Sequence, residues 1–246
     1  MVAPSHAELL ALAEACGGPL VALDTSTDRA SLCAVGLASG VVTELALEAK
    51  SQSSEAMVET LVGLLASAGR KAVDLAALVV GLGPGSFTGL RVGLATVQGL
   101  ALGAARPVVG CPSLASLAAS QGPGRVAVLV DARRAEVYLA AYDVDATGLA
   151  RELVAPCLVP PNEAVAAAVA ARCDRVAGDY AERAHAHAPG LAMASAPLRA
   201  ACSLRLVAAR LLAREFDALA TLTPRYLKGS EAERQLMAGT LGKRQG

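Results

Sequence analysis

A glycine-rich segment between two apolar runs is where this sequence could first do chemistry. Residues 78–82 have the composition of a buried strand, and residues 88–103 follow with a helical pattern. Between them, glycine alternates at positions 81, 83 and 85. Backbone N–H groups and a helix N-terminus meet at such a junction and favour anions. The segment has neither the end of a P-loop nor a dinucleotide fingerprint. An anion-binding loop and a tight turn without a ligand therefore both remain open.

Two aspartates end similar apolar runs in the two halves of the chain. Asp24 follows residues 20–23, and Asp131 follows residues 126–130, an offset of 107 positions. Each aspartate is also a normal strand-end turn residue. If the halves face each other, both would stand at the walls of a cleft with the glycine segment. The residues predicted to touch a nucleotide there are Asp24, Thr25, Gly83, Gly85 and Asp131.

The order of predicted elements repeats along the chain. The predicted strands are 20–23, 30–35, 41–48, 76–82, 108–109, 126–130, 136–142, 149–155 and 175–177. The predicted helices are 5–16, 54–68, 88–103, 113–120, 162–172 and 203–216. Each half therefore reads strand-strand-strand-helix-strand-helix, which favours an α/β fold with mixed sheets flanked by helices.

The domain limits follow from this repeat. Residues 20–121 form the first predicted half and residues 125–228 the second, with the Gly- and Pro-containing segment 121–124 as the linker. Residues 1–19 are predicted to be an N-terminal extension, an appendage that precedes the first strand. Residues 229–246 are predicted to be a C-terminal tail. A hairpin turn is expected at residues 38–40.

Composition excludes several classes of function. The 246 residues carry 22 Lys plus Arg and 22 Asp plus Glu, without any Trp, so tight autonomous nucleic-acid binding is disfavoured. A local basic patch at Arg199, Arg205 and Arg210 is the remaining alternative for tRNA. Six dispersed cysteines, no signal peptide and no run of about 18 apolar residues predict a cytoplasmic protein that does not enter the membrane.

The sequence predicts no metal site and no catalytic residue. Its histidines are His6, His185 and His187, and His185 and His187 stand two positions apart, which on a helix turns them in different directions. They are expected to be exposed. A nucleophile needs a base beside it, and no histidine is suitably spaced for that role.

Five motifs resemble the bacterial TsaB family, also called YeaZ, over residues 20 to about 233. They are Leu23–Thr27, Gly83–Gly93, Gln98–Ala101, Asp131–Arg133 with Glu136–Tyr138, and Pro224–Lys228. The resemblance implies an actin-like fold of two ribonuclease-H-like halves. It also implies a role in forming N6-threonylcarbamoyladenosine at position 37 of tRNAs that read ANN codons. In that pathway the transfer belongs to the paralogue TsaD, with TsaB as a non-catalytic partner and the TsaE ATPase as a third component.

Other expectations accompany this implied function. Actin-fold kinases hold metal-bound phosphates with acidic residues, so the cleft could keep weak affinity for ATP or ADP without an intrinsic cofactor. A small-molecule kinase and a protease acting on a protein partner are the alternative activities. Contact with tRNA is expected only indirectly. This chain has Ser53 where relatives often carry histidine, and the extension lies outside the usual family core.

Two helical stripes are the predicted partner surface. In helix 88–103, Gly99 and Gly103 are one helical step apart, as are Gly89 and Gly93. Each interior glycine costs about 1 kcal/mol relative to alanine. Such a helix is expected to recover this cost through close approach to another element. Packing on the chain's own sheet is the alternative. The predicted contacts to TsaD, or to a second copy in a homodimer, are Met57, Leu61, Leu64, Leu65, Gly89, Leu90, Gly93, Leu94 and Val97.

Overall fold

The computed structural model describes residues 4–36, 40–48 and 54–227, which contain two five-stranded mixed sheets. The strands of the first sheet are β1 Leu20–Asp24, β2 Arg29–Val35, β3 Val42–Glu48, β4 Ala77–Gly81 and β5 Val108–Cys111. Those of the second are β6 Gly124–Asp131, β7 Val137–Val144, β8 Ala150–Val159, β9 Arg175–Ala177 and β10 Ala192–Met193. The predicted hairpin turn at residues 38–40, Ser53, Lys228 and the predicted tail 229–246 lie wholly or partly outside the described residues.

Both sheets have the same topology. The first has the order β3-β2-β1-β4-β5, and the second has β8-β7-β6-β9-β10. In each, the first strand pairs antiparallel with the second and parallel with the fourth. Strands β1 and β4 are buried along their whole length, as strands with both faces covered must be. The repeat confirms the predicted actin-like arrangement of two ribonuclease-H-like halves, while the limits of the two domains stay predictions.

Eight helices of the described residues flank the sheets. They are α1 His6–Ala15, α2 Ser54–Ser67, α3 Phe87–Ala104, α4 Ser113–Ser120, α5 Pro161–Ala170, α6 Ala181–His187, α7 Ala200–Leu206 and α8 Ala208–Leu212. The single helix predicted over 203–216 was wrong, because α7 begins earlier and is separated from α8 at Val207. Helix α6 and strand β10 were missed, since seven- and two-residue elements leave little periodicity.

The N-terminal extension is part of the core rather than an appendage. Helix α1 begins with the predicted capping box between Ser5 and Glu8. Its buried side chains Leu9 and Leu12 join a cluster with β1, β2, α7 and α8. The extension therefore packs on one face of the first sheet through these buried side chains.

The predicted linker is a tightly bonded junction. Gln121 is buried, and its amide donates to the carbonyls of Leu117 and Ala196 at 2.9 and 2.8 Å. Its Oε1 accepts the N–H of Ala196, and the Arg175 guanidinium donates to the carbonyls of Gln121 and Pro123. A Gly-Pro-Gly segment held in this way is no free hinge.

Candidate functional site

A cavity of 430 Å³ lies between the two halves, and we call it the cleft. The first half contributes the loop after β1, at Ser26 to Asp28, and the segment Gly85 to Thr88, which leads into α3. The second half contributes the segment after β6, together with Asp179, and the C-terminal segment adds Arg225 and Tyr226. The volume is within the roughly 300–1,000 Å³ of small-molecule sites.

Asp24 does not line the cleft, although the sequence predicted it at the wall. Its side chain is 1% exposed, and Oδ1 accepts the N–H of Ser26 at 2.9 Å. A Cβ at Gly81 would lie only 2.7 Å from Oδ1, so that glycine makes room for the carboxyl. Burial raises the pKa of Asp24. The aspartate is thus a structural group beneath the loop.

Thr25 and Gly83 also have structural roles. The Thr25 hydroxyl is buried and donates to the Gly89 carbonyl at 2.7 Å. Gly83 has a φ of +87° and donates its N–H to Ser113 Oγ at 2.9 Å. Gly85 does line the cleft, and a Cβ there would lie 2.8 Å from that of Ser26. Of the predicted nucleotide contacts, the structure brings only Gly85 and Asp131 to the cavity.

Asp131 stands in a mixed network of charges. Its N–H donates to Asp179 Oδ1 at 2.6 Å, and its own Oδ1 accepts the N–H of Arg133 at 2.7 Å. The guanidinium groups of Arg133 and Arg183 lie 3.8 and 3.9 Å from its Oδ2. Burial, followed by repulsion from Asp131 and Asp28, raises the pKa of Asp179.

The arginine-rich loop after β6 is strained. Arg133, Arg134 and Ala135 have φ values of +65°, +57° and +58°, a conformation that side chains with a Cβ seldom adopt. Two of these residues line the cleft. Strain of this kind, of order 1–3 kcal/mol per residue, persists where the surroundings hold it and is enriched at functional sites.

A pair of aromatic side chains lines the cleft. The rings of Phe87 and Tyr226 are 5.0 Å apart between centroids, and the Arg91 guanidinium lies 5.4 Å above Phe87. The Arg225 N–H donates to the Leu82 carbonyl at 2.8 Å, so the C-terminal segment is fixed to the first half. The sequence reasoning missed Asp28, Asp179 and Arg225, which come together only through the fold.

The stripes predicted to bind a partner are buried in this chain. Met57, Leu61, Leu65, Leu94 and Val97 belong to the core on one face of the first sheet. Leu64 packs against that core, and Leu90 is buried as well. Gly89 and Gly93 face the loop after β1, since a Cβ on either would overlap atoms of Thr25. The open alternative, packing on the protein's own sheet, therefore accounts for these residues.

The opposite faces of α2 and α3 are open. Val58 and Val62 are 41% and 49% exposed, and Leu102 is 77% exposed. A Cβ at Gly99 or Gly103 would meet no atom within 4 Å. Exposed small and apolar residues thus occur on both helices, and we call Val58, Val62, Gly99, Leu102 and Gly103 the outer stripe.

The structure also shows the surroundings of the histidines and of the arginines in the predicted basic patch. His185 is half-buried with its Nδ1 2.8 Å from the Leu191 carbonyl, contrary to expectation, whereas His187 is exposed as predicted. Arg199 pairs with Glu44 and Arg210 with Asp217, so these arginines are engaged within the fold. In the described ranges, no group of three His, Cys, Asp or Glu side chains could hold a metal ion.

None of the described helices combines the length and the apolar character needed to cross a bilayer.

Comparisons with known proteins agree with this architecture. A YeaZ structure from Pseudomonas aeruginosa is 27% identical, covers 85% of this chain and 100% of that chain, and gives a TM-score of 0.67. A second structure from that organism, described as similar to peptidase YeaZ, is 28% identical with a TM-score of 0.70, covering 86% and 100%.

Sequence relatives carry a functional name. The Escherichia coli K12 tRNA threonylcarbamoyladenosine biosynthesis protein TsaB is 35% identical over 135 residues, which are 53% of this chain and 57% of that protein. The Haemophilus influenzae protein of the same name is 37% identical over 123 residues, or 48% and 51%. The matches thus span little more than half the length of these curated relatives.

The duplicated sheets and the cleft between them define an actin-like protein of two ribonuclease-H-like halves. A family model described as TsaD, tRNA N6-adenosine threonylcarbamoyltransferase, matches residues 35–246. The chain belongs to that family, and within it to the TsaB (YeaZ) proteins.

Proposed function

We propose that this chain takes part in forming N6-threonylcarbamoyladenosine at position 37 of tRNAs that read ANN codons. Its role is that of a non-catalytic scaffold for TsaD, with TsaE in a ternary complex and tRNA contacted only indirectly. Family membership supports the pathway. The zero formal net charge and the internal pairing of Arg199 and Arg210 support indirect contact with tRNA.

The observation that carries the scaffold role is the outer stripe on α2 and α3. Helix α3 presents Gly99 and Gly103 with open space above them, and Leu102 is largely exposed between them. Glycines on an exposed helix face cost stability in the free protein, and they permit another helix to approach the backbone closely. A pair of helices from TsaD completing a four-helix bundle is the occupant that we propose.

Charge insertion on the outer stripe tests the scaffold role. Leu102→Glu should leave the circular dichroism spectrum unchanged, because the side chain is exposed, and should abolish co-purification with TsaD from the same organism. Leu212→Glu is the matched control, since Leu212 is an exposed leucine on α8, away from the stripe. Glutamate at Leu61 or Leu94 would be uninformative, because both side chains are buried and the chain would unfold.

The functional readout is a tRNA threonylcarbamoylation assay with and without the chain. Modification that requires the chain and fails with Leu102→Glu would support the proposal. Equal modification without the chain would refute it, and ATP turnover by the isolated chain would instead favour a small-molecule kinase. Light scattering on the isolated chain tests the proposed homodimer, which Leu102→Glu should convert to monomer. Weak ATP or ADP binding and cytoplasmic location stay predictions.

A further inference from the structure

Each half of the chain contributes a helix that packs on the sheet of the other half. Helix α4 follows the last strand of the first sheet, but its apolar side chains belong to a core cluster with β6 and β7 of the second sheet. Helices α7 and α8 follow the second sheet in the chain, but their apolar side chains pack with β1 and β2 of the first sheet. Either sheet would therefore lose part of its core if the halves moved apart.

Helix α7 is hydrogen-bonded to α4 and the second half at its start, middle and end. Three contacts make this connection: from the Arg199 N–H to Ser120 Oγ at 2.9 Å, between Ser203 Oγ and Ser116 Oγ at 2.8 Å, and from Arg205 Nε to the carbonyl of Thr147, between β7 and β8, at 3.0 Å. We call these residues the inter-half junction. Its three serines are at most 3% exposed, so a hydroxyl that lost its partner would be left without water, which is costly.

The opposite face of α7 is fixed to the first half. Ala200 and Leu204 lie in the core on the first sheet. The Ala200 N–H donates to Ser31 Oγ of β2 at 2.9 Å, and the Arg199 guanidinium pairs with Glu44 of β3. A shear movement between the halves would have to slide α7 past one of its two surroundings. Because both are held by directional hydrogen bonds, such a slide would break several of these bonds at once.

We infer that the two halves form one rigid body, in which the inter-half junction fixes the width of the cleft. Two-domain kinases close around their ligands, and closure excludes water from the reaction. A cleft of fixed width cannot make that movement, so a ligand would have to bind at the existing width. This rigidity is a property of the isolated chain and does not depend on a partner at the outer stripe.

The test is the distance between two spin labels, one on each half, measured by pulsed electron paramagnetic resonance. The labels are attached at exposed positions through Lys71→Cys and Glu163→Cys, in the whole chain with the half-buried Cys16 and Cys157 replaced by serine. Dilution with unlabelled chain restricts the signal to distances within one molecule. Labels at Lys71→Cys and Glu14→Cys, both in the first half, give the width expected without relative motion.

The distance distribution between the halves should be a single peak, as narrow as that of the control pair. It should be the same with and without millimolar Mg-ATP. A second peak, a broader distribution than the control, or a shift on addition of Mg-ATP would overturn the inference.

A double variant tests whether the inter-half junction supplies the rigidity. Ser203→Ala with Arg205→Ala removes two of the three contacts and keeps the apolar face of α7, so the circular dichroism spectrum should be unchanged and the distribution should broaden. Arg210→Ala is the matched control, because Arg210 is half-buried on the neighbouring α8 and pairs with Asp217 beside β5 of the first sheet. An unchanged distribution in the double variant, or equal broadening in the control, would contradict the role of the junction.

Discussion

The two glycine pairs of α3 should respond to alanine in opposite directions. A Cβ at Gly93 would overlap Thr25 Oγ1 and lie 3.1 Å from Thr25 Cγ2. Forced overpacking of this kind costs about 1–3 kcal/mol, and displacing Thr25 also weakens its 2.7 Å hydrogen bond to Gly89, which contributes about 1 kcal/mol. Alanine recovers about 1 kcal/mol of helix propensity. Gly93→Ala should therefore lower the free energy of unfolding by about 1–3 kcal/mol.

Gly99→Ala is the matched variant, in the same helix and with the same chemistry. A Cβ there meets nothing within 4 Å, so only the helix propensity changes, and the free energy of unfolding should rise by about 1 kcal/mol. The two variants should thus differ by about 2–4 kcal/mol.

Urea unfolding followed by circular dichroism measures this difference. The chain has no Trp, which makes far-UV circular dichroism the better probe than fluorescence. The midpoints should move in opposite directions with unchanged m-values. If both variants gained stability, or if Gly93→Ala were the more stable, the assignment of Gly93 to close packing against Thr25 would be refuted.

Three further predictions concern the core. Leu9→Ala should cost about 2–5 kcal/mol in urea unfolding, as for other buried leucines, because α1 packs on one face of the first sheet; a loss below 1 kcal/mol would make the extension an appendage after all. Gln98→Ala should lower the free energy of unfolding by about 2 kcal/mol, because the side chain donates to the carbonyls of Leu219 and Leu222 at 3.0 Å each. An unchanged urea midpoint would argue against a stabilising role for these two hydrogen bonds. Asp24→Asn should gain stability relative to the parent chain as pH rises above about 4, since burial raises the carboxyl pKa above its ordinary 3.8. The folded state then favours the protonated acid, so the parent loses stability as pH rises from 3.8 through the raised value; a difference independent of pH in urea unfolding would contradict this.

Sequence alone was sufficient for the repeat, the glycine loop and the family. Apolar runs of strand and helix length, interrupted by Gly and Pro, are local signals, and their order is enough to predict two mixed sheets. The motif from Gly83 to Gly93 indicates the family because a string of that length rarely arises by chance. Zero net charge is a property of composition, which no fold can change.

Only the tertiary structure determined what each of these residues packs against and whether it reaches the cleft. Gly89 and Gly93 have the same spacing as Gly99 and Gly103, yet one pair packs on the loop after β1 and the other is open. Asp24 and Asp131 end equivalent strands, but only Asp131 reaches the cleft. The linker, the extension and the three charges at Asp28, Asp179 and Arg225 likewise depend on distant segments. Burial is set by what packs against a residue, and that neighbour is usually far away in the chain.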